Sequence, residues 1–164
     1  MHLPIIANRL TIRCFVEADI NAIKDLFASK EVMQFIGPRR PMKANEAEEW
    51  LSAQIKTQKN TTTRCATSLV DTNELIGVCG FQWVDKDWDF GYYFRSAFWG
   101  NGYATEACEA ILNNANSFIG DAGFKIFISN LNVHSSSVMK RLGYVPAREA
   151  TKNGEQGFCY AKAQ

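Results

Sequence analysis

The sequence predicts an α/β protein built on a mixed, mostly antiparallel sheet. Residues 65–70, 75–84 and 88–94 are three strand-like runs separated by short turns, which is typical of antiparallel neighbours. An amphipathic helical pattern over residues 104–119 and a short apolar strand at 124–128 come next. A strand–helix–strand unit of this kind joins parallel strands by a right-handed crossover. We therefore expect residues 88–94 and 124–128 to be parallel strands of one sheet.

The N-terminal part supplies one further strand and two helices. Residues 9–15 alternate apolar and polar side chains, as a half-buried strand does. Asp19 can cap a first helix and Asn45 a second, and apolar side chains recur at helical spacing after each of them. The two prolines of residues 37–41 (GPRRP) break the chain between the two helices.

The C-terminal part completes the sheet. Gly123 ends the long helical pattern, and residues 133–142 have the spacing of another helix, which stops at Gly143. Two more strands flank a turn at residues 153–155. Together the elements predict a six- to seven-stranded sheet flanked by about four helices.

Length and composition are those of one ordinary globular domain, residues 1–164, with 46% hydrophobic and 21% charged residues. A net charge of +1 gives no electrostatic reason to expect a nucleic-acid or membrane partner. Five scattered cysteines without CxxC spacing and only two histidines argue against a metal site. Because the sequence has no basic leader and no run of about 18 apolar residues, we expect a cytoplasmic protein.

The stretch WGNGYATEA, residues 99–107, puts two glycines directly ahead of the long helix. The first N–H groups of a helix lack partners and carry positive potential, so they can hold an anion. Gly100 and Gly102 remove the Cβ atoms that would block the approach of a diphosphate. The stretch is not a Walker loop, and Thr105 stands where a GxGxxG motif has its third glycine. A tight turn that needs positive φ is the alternative explanation.

A second stretch, NVHSSSVMKRLGY at residues 132–144, combines an asparagine, a serine three residues later and a short helix that ends in Leu-Gly-Tyr. Together the two stretches resemble the GNAT superfamily of acyl-coenzyme-A-dependent N-acyltransferases. They are most similar to the branch that acetylates the N-termini of ribosomal proteins and its small-molecule relatives. The matching positions are Phe98 to Ala107 in the first stretch and Asn132, Ser135, Val138, Leu142, Gly143 and Tyr144 in the second. The resemblance extends from Arg9 to about Arg148.

This resemblance implies a GNAT-like fold, acetyl-CoA as co-substrate, and a parallel pair of strands that splays at the cofactor site. The backbone of Tyr93 and Phe94 would bind the pantetheine arm by strand addition. Asn132 would contact the pantetheine or the acetyl region through its side-chain amide. Trp99 stands where the superfamily usually has Gln or Arg. The cofactor loop that would hold the pyrophosphate comprises Trp99, Gly100, Asn101, Gly102, Tyr103, Ala104 and Thr105.

Two residues are candidates for the chemistry of acetyl transfer. Asp89 lies where several family members have a glutamate proposed as the base; an ordered water could serve instead, and a solvated turn residue is the alternative role. Ser135 matches the serine that the branch uses near the coenzyme A sulfur, and helix N-capping is its alternative role. Met139 stands where many other GNAT enzymes have a tyrosine that acts as the general acid, which excludes a mechanism with a tyrosine acid at this position. The roles of Glu106 and His134 stay open.

We therefore expect an N-acetyltransferase that moves an acetyl group from acetyl-CoA directly to a primary amine, without a metal and without a covalent enzyme intermediate. The acceptor would be a peptide N-terminus, a small-molecule amine such as an antibiotic or a polyamine, or a metabolite amine. A non-catalytic acyl-CoA-binding module, acting as a sensor or partner domain, is the alternative. A monomer and a homodimer are equally compatible with the sequence.

Overall fold

The computed structural model describes residues 3–58 and 64–164. Its strands are β1 (Ile5–Ile6), β2 (Leu10–Arg13), β3 (Arg64–Leu69), β4 (Leu75–Val84), β5 (Asp87–Phe94), β6 (Phe124–Lys125), β7 (Phe127–Ser129), β8 (Tyr144–Lys152) and β9 (Glu155–Lys162). Its α-helices are α1 (Ile20–Ala28), α2 (Lys30–Met33), α3 (Ala44–Thr57), α4 (Tyr103–Leu112), α5 (Ala115–Ile119) and α6 (Val133–Arg141). Single 3₁₀ turns lie at Glu17–Asp19 and Ser96–Phe98.

The strands form two sheets. Six of them pair in the order β1-β2-β3-β4-β5-β6, and the remaining three pair in the order β7-β9-β8. Every pair is antiparallel except β5 with β6, which is parallel. The predicted mixed α/β fold, with one parallel pair joined through the long helical segment, is therefore confirmed.

The parallel pair separates almost as soon as it forms. Trp88 pairs with Phe124 and Asp89 with Lys125, and beyond these two pairs β5 and β6 part. At Ile126 the chain leaves β6 and turns to the second sheet. The backbone N–H of Tyr160 on β9 donates to the Ile126 carbonyl oxygen over 2.9 Å. The single strand predicted over residues 124–128 is thus two short strands in two sheets. The rest of β5 does not pair with β7, which belongs to the second sheet, and the space between these two strands is called the gap.

Helices cover both faces of the large sheet. One core lies between the sheet and the helices α4 and α6, and it contains Phe90 and Phe94 of β5. The other core lies between the sheet and the helices α1 and α3, and Tyr93 of β5 packs against it. Because side chains alternate along a strand, successive residues of β5 serve opposite faces.

The helix predicted over residues 104–119 is wrong as one continuous helix, because Asn113 and Asn114 interrupt it between α4 and α5. The Asn114 side-chain amide donates to the Ala110 carbonyl oxygen over 2.8 Å. Asparagine side chains compete in this way with the backbone hydrogen bonds of a helix. The elements β1 and α2 were not predicted, since two and four residues carry too little periodicity.

Neither predicted helix cap acts as expected. The Asp19 carboxylate makes no side-chain cap on α1; it accepts hydrogen bonds from both terminal nitrogens of Arg13, at 2.8 and 2.9 Å, and from the Val16 N–H at 2.9 Å. Helix α3 begins at Ala44, one residue before Asn45, so Asn45 lies inside its first turn. The partly buried Arg13 explains the first difference, because its charge-assisted hydrogen bonds hold the buried Asp19 carboxylate.

Gly157 allows the second sheet to form. A Cβ atom at this position would lie far inside van der Waals distance of the Ile128 carbonyl oxygen, on the neighbouring strand β7. We expect Gly157→Ala to destabilise the protein by about 1–3 kcal/mol, since a backbone atom cannot give way as a flexible side chain does. Urea unfolding followed by circular dichroism measures the difference in free energy. The matched control is Gly123→Ala, whose Cβ would meet no described atom within 4 Å; equal stabilities of the two variants would contradict the close approach.

Candidate active site

The loop between β5 and α4 has the backbone conformation that the glycine pattern predicted. Gly100 and Gly102 both have φ of +78°, a left-handed conformation that favours glycine. A Cβ atom on Gly100 would meet no described atom within 4 Å, so this side of the loop faces open space. The tight turn and the open approach for a ligand, which the sequence offered as alternatives, are present together.

The loop presents a row of unpaired backbone donors. The first helical hydrogen bond of α4 is donated by the Glu106 N–H to the Gly102 carbonyl oxygen over 3.1 Å. The backbone N–H groups of residues 100–105 donate to no partner among the described residues, and no side chain there caps α4. The Thr105 hydroxyl is also buried without a partner in the described part of the chain. Such a cluster of donors at a helix N-terminus fits a diphosphate.

Arg9, at the start of the large sheet, anchors this loop. The Glu106 carboxylate accepts from the Arg9 backbone N–H at 2.6 Å and from its Nε at 2.8 Å, while Arg9 Nη1 donates to the Asn101 carbonyl oxygen over 2.9 Å. The guanidinium also lies 4.5 Å from the centre of the Tyr103 ring. Glu106 therefore holds Arg9 in place, and Arg9 in turn fixes the loop through the Asn101 carbonyl oxygen. Sequence reasoning missed this role of Arg9, because 97 residues separate it from Glu106.

The strand β5 presents a free backbone edge to the gap. The Arg95 N–H donates to the Ile76 carbonyl oxygen over 2.8 Å, which fixes the alternation of backbone groups along the strand. The groups of Tyr93 consequently face β4, where Tyr93 is in register with Val78. The N–H and C=O of Tyr92 and the N–H of Phe94 face the gap, where no described strand pairs with them. The alternation thus directs the backbone N–H of Phe94 toward the gap, whereas the backbone groups of Tyr93 face β4.

Trp99 ends this free edge. Its indole Nε1 donates to the Phe94 carbonyl oxygen over 2.8 Å, and its ring centre lies 6.4 Å from that of His134 on α6. Asn101 fixes the same turn, because its side-chain amide donates to the carbonyl oxygens of Phe98 and Trp99 at 3.2 and 3.1 Å. His134 is exposed and Trp99 nearly half exposed, so the two rings lie at the mouth of the gap.

The start of α6 forms the opposite side of the gap. Asn132 is its N-cap, and its Oδ1 accepts from the Ser135 N–H over 3.1 Å. The Tyr92 hydroxyl donates to the Ser135 carbonyl oxygen over 3.1 Å, which ties the helix to β5. Burial raises the pKa of Tyr92 well above its usual range, so this hydroxyl stays protonated and remains a donor. Because Asn132 is the cap, the Ser135 hydroxyl is left without a partner among the described residues.

Asp89 lies on the other face of β5. Its Oδ2 accepts from the Lys152 ammonium at the end of β8, and the carboxylate is about one-quarter exposed. Asp89 is therefore a strand residue in an ion pair, and the alternative of a solvated turn residue does not describe its position. The side chains of Asp89 and Tyr92 point to opposite faces of β5. Ser135 contacts Tyr92, so the two predicted catalytic residues, Asp89 and Ser135, lie on opposite faces of this strand.

The C-terminal hairpin closes over the Asp89 face. Besides Lys152, its tip carries Glu155, which forms an ion pair with Arg39 in the loop after α2. The neighbouring Arg40 pairs with Glu46, its nitrogens 2.6 and 2.9 Å from the carboxylate oxygens. The hydrogen bond from Arg40 is the main cause that lowers the pKa of Glu46 to about 2. The loop of residues 37–41 and the hairpin tip thus border the same face.

The described ranges, 3–58 and 64–164, contain no group of three or more His, Cys, Asp or Glu side chains that could hold a metal ion. Within the same ranges, no helix combines the length and the apolar character needed to cross a bilayer.

Comparison with known proteins identifies the family. Residues 9–145 match the family model of the acetyltransferase (GNAT) domain. The chain therefore belongs to the GNAT acetyltransferase family, which confirms the resemblance carried by the two sequence motifs. It is also 24% identical over 113 residues to the uncharacterized N-acetyltransferase p20 of Bacillus licheniformis, a match that covers 65% of this chain and 62% of that protein, less than two thirds of its length.

Solved structures share the fold. A GNAT-family acetyltransferase from Bacillus anthracis superposes with a TM-score of 0.81 at 21% identity, over 96% of both chains. A ribosomal L7/L12 alpha-N-protein acetyltransferase in complex with coenzyme A gives 0.71 at 20% identity, over 97% of this chain and 95% of that chain. A spermidine N-acetyltransferase from Vibrio cholerae, in complex with coenzyme A and spermine, gives 0.70 at 18% identity over 93% of both chains. At these identities the likeness concerns the fold alone.

Proposed function

We propose that this protein is an N-acetyltransferase that moves an acetyl group from acetyl-CoA directly to a primary amine. The observation that carries the proposal is the gap beside β5, which leads from a free strand edge to the unpaired donors of residues 100–105. The diphosphate of coenzyme A matches the donors, and the amides of its pantetheine arm match the strand edge. Membership of the GNAT family and the N-acetyltransferase relative support the same reaction class.

When bound, acetyl-CoA supplies an activated acetyl thioester. In the overall transfer the carbon–sulfur bond breaks, a carbon–nitrogen bond forms, and the proton lost by the amine is balanced by the one gained by the sulfur. The backbone of residues 100–105 would bind the diphosphate, and the backbone groups of Tyr92 and Phe94 would hold the pantetheine arm. The Asn132 side-chain N–H₂ remains available for the same arm, since only its Oδ1 serves as the helix cap.

One of the two candidate groups would accept a proton and the other would donate one. Asp89 would accept the proton of the amine, directly or through an ordered water, while Lys152 holds its carboxylate in place. The Ser135 hydroxyl would donate to the departing sulfur. Their positions on opposite faces of β5 support this division, because the two groups can then serve the attacking amine and the departing sulfur without competing for the same space.

A substitution in the loop tests cofactor binding. We expect Gly100→Ala to weaken acetyl-CoA binding at least about tenfold, since the new methyl group enters the open space where the diphosphate would lie. Isothermal titration calorimetry with acetyl-CoA measures the affinity. The matched control is Gly143→Ala, whose φ of +79° imposes the same backbone strain at the end of α6. Equal affinities of the two variants would count against a diphosphate at this loop.

A second substitution tests the chemistry. We expect Asp89→Asn to lower kcat/KM for amine acetylation by about 100-fold, because an amide cannot accept the proton. Release of free coenzyme A thiol, measured with a panel of primary amines, gives the rate. The affinity for acetyl-CoA should not change.

Asp87→Asn is the matched control, since Asp87 lies on the same strand in an ion pair with Lys125 at 2.6 Å. If both variants keep full activity, Asp89 is not the base. If the wild-type protein binds acetyl-CoA and acetylates no amine, the protein is a non-catalytic acyl-CoA-binding module and the proposed function is wrong.

A further inference from the structure

Lys152 places a primary amine on the carboxylate that the proposed function makes the base. From the last residue of β8, its ammonium donates to Asp89 Oδ2. In the direct form of the proposed reaction, the acceptor amine must lie within hydrogen-bonding distance of this carboxylate to lose its proton to it. The Lys152 amine occupies that place, and it belongs to the chain itself.

Asp89 lies at the closed end of the gap. The strand β6 pairs with β5 at Trp88 and Asp89, and beyond Asp89 the edge of β5 is free of β6. The unpaired donors of residues 100–105 lie at the other end, after the C-terminus of β5. An acyl carrier that is bound by those donors and follows the free edge would therefore present its acetyl end near Asp89.

The hairpin tip that carries Lys152 is held on both sides. Asn153 and Gly154, with φ of +52° and +79°, form the two-residue turn between β8 and β9. Lys152 is in register with Glu155, which forms an ion pair with Arg39. The amine is thus held in position before any ligand binds, and such preorganisation favours a reaction within one molecule.

Lys125 offers a comparison on the same face of the sheet. It forms an ion pair with Asp87 at 2.6 Å, two residues before Asp89 on β5. Asp87 lies about 7 Å along the strand from Asp89, on the side away from the gap. The Lys125 side chain is 50% exposed, against 37% for Lys152. A reagent that attacks lysines from solution would therefore favour Lys125, whereas delivery through the gap would favour Lys152.

We propose that Lys152 is a site of self-acetylation, at which the protein transfers one acetyl group from acetyl-CoA to its own chain when no other amine is present. The Lys152 ammonium gives one proton to Asp89, and the free amine then attacks the thioester carbonyl carbon. A carbon–nitrogen bond forms, the carbon–sulfur bond breaks, and the second proton lost by the nitrogen balances the one gained by the sulfur. The products are an acetylated lysine, free coenzyme A and one proton that Asp89 releases to solvent. Acetylation removes the positive charge of Lys152, so the ion pair is lost and the reaction ends after one transfer per chain.

This inference rests on the proposed function and adds a modification site to it. The test incubates the full chain, without added amine, with acetyl-CoA that carries a deuterated acetyl group, which separates new acetyl groups from any acquired during expression. Cleavage after glutamate releases residues 150–155 as one peptide with Lys152 as its single lysine. Mass spectrometry of the same digest also gives the rate at Lys125. We expect Lys152 to be acetylated at least about tenfold faster than Lys125, because its amine is held beside the base at the closed end of the gap; equal rates, or a faster reaction at Lys125, would contradict the inference.

Substitutions on β5 separate the two explanations by the sign of their effect. Asp89→Asn removes the proposed base, and we expect it to lower the rate at Lys152 by about 100-fold. For attack from solution, the same change would raise this rate, since it frees the Lys152 amine from its ion pair. A rise at Lys152 in Asp89→Asn therefore overturns the inference. The matched control is Asp87→Asn, which frees Lys125 in the same way and should leave the rate at Lys152 unchanged.

Release of free coenzyme A thiol gives a second readout. Without added amine, the wild-type protein should release one equivalent of thiol per chain, and this release should be lost in Lys152→Arg, which keeps the positive charge but has no lysine amine. A rate per chain that is independent of protein concentration supports transfer within one molecule. A rate that rises in proportion to protein concentration indicates transfer between copies and rules out the proposed self-acetylation.

The outcomes distinguish this inference from the proposed function. Acetylation of added amines with Lys152 unlabelled overturns the inference while the proposed function stands. Label on Lys152 without acetylation of any added amine supports the inference, although the proposed transfer to free amines then fails. If the protein binds acetyl-CoA and neither reaction occurs, both are wrong.

Discussion

The separation of β5 from its parallel neighbour is the constraint on which the rest of the site depends. Backbone N–H and C=O groups need partners, and a strand edge inside a fold is normally paired. Here pairing with β6 ends at Asp89 and Lys125, since the chain turns at Ile126 to the second sheet. The free edge that results leads to a loop whose N–H groups are also unpaired. A ligand with amides and a diphosphate would satisfy both sets of groups.

The same strand organises the chemistry through the alternation of its side chains. Tyr92 points toward α6 and contacts Ser135, while Asp89 points to the opposite face and meets Lys152 of the C-terminal hairpin. A carbonyl carbon held at the edge between these faces would have a hydroxyl donor on one side and a carboxylate on the other. On the proposed function the hairpin would contribute to the acceptor side as well as to the second sheet. Arg39 holds its tip through an ion pair with Glu155.

Local patterns in the sequence predicted the elements that form locally. The three antiparallel strands, the parallel crossover and the glycine loop carry periodicity or glycine spacing that requires no distant partner. The contacts of Arg9 with Glu106, and of Lys152 with Asp89, join residues 97 and 63 positions apart and leave no local trace. The division of residues 124–128 depends on β9, which pairs with β7. Whether the backbone groups of Tyr92 or those of Tyr93 face the gap depends on which residues of β5 form hydrogen bonds with β4. The alternation of side chains in the sequence does not reveal this.

The most direct test is a crystal structure of the protein with coenzyme A. The account predicts both phosphorus atoms of the diphosphate within about 4 Å of backbone nitrogens of residues 100–105, as N–H···O hydrogen bonds require. It also predicts pantetheine amides paired with Tyr92 and Phe94 in the gap beside β5. A diphosphate bound elsewhere, for example in the groove between α6 and the C-terminal hairpin beside Lys140 and Arg141, would contradict it.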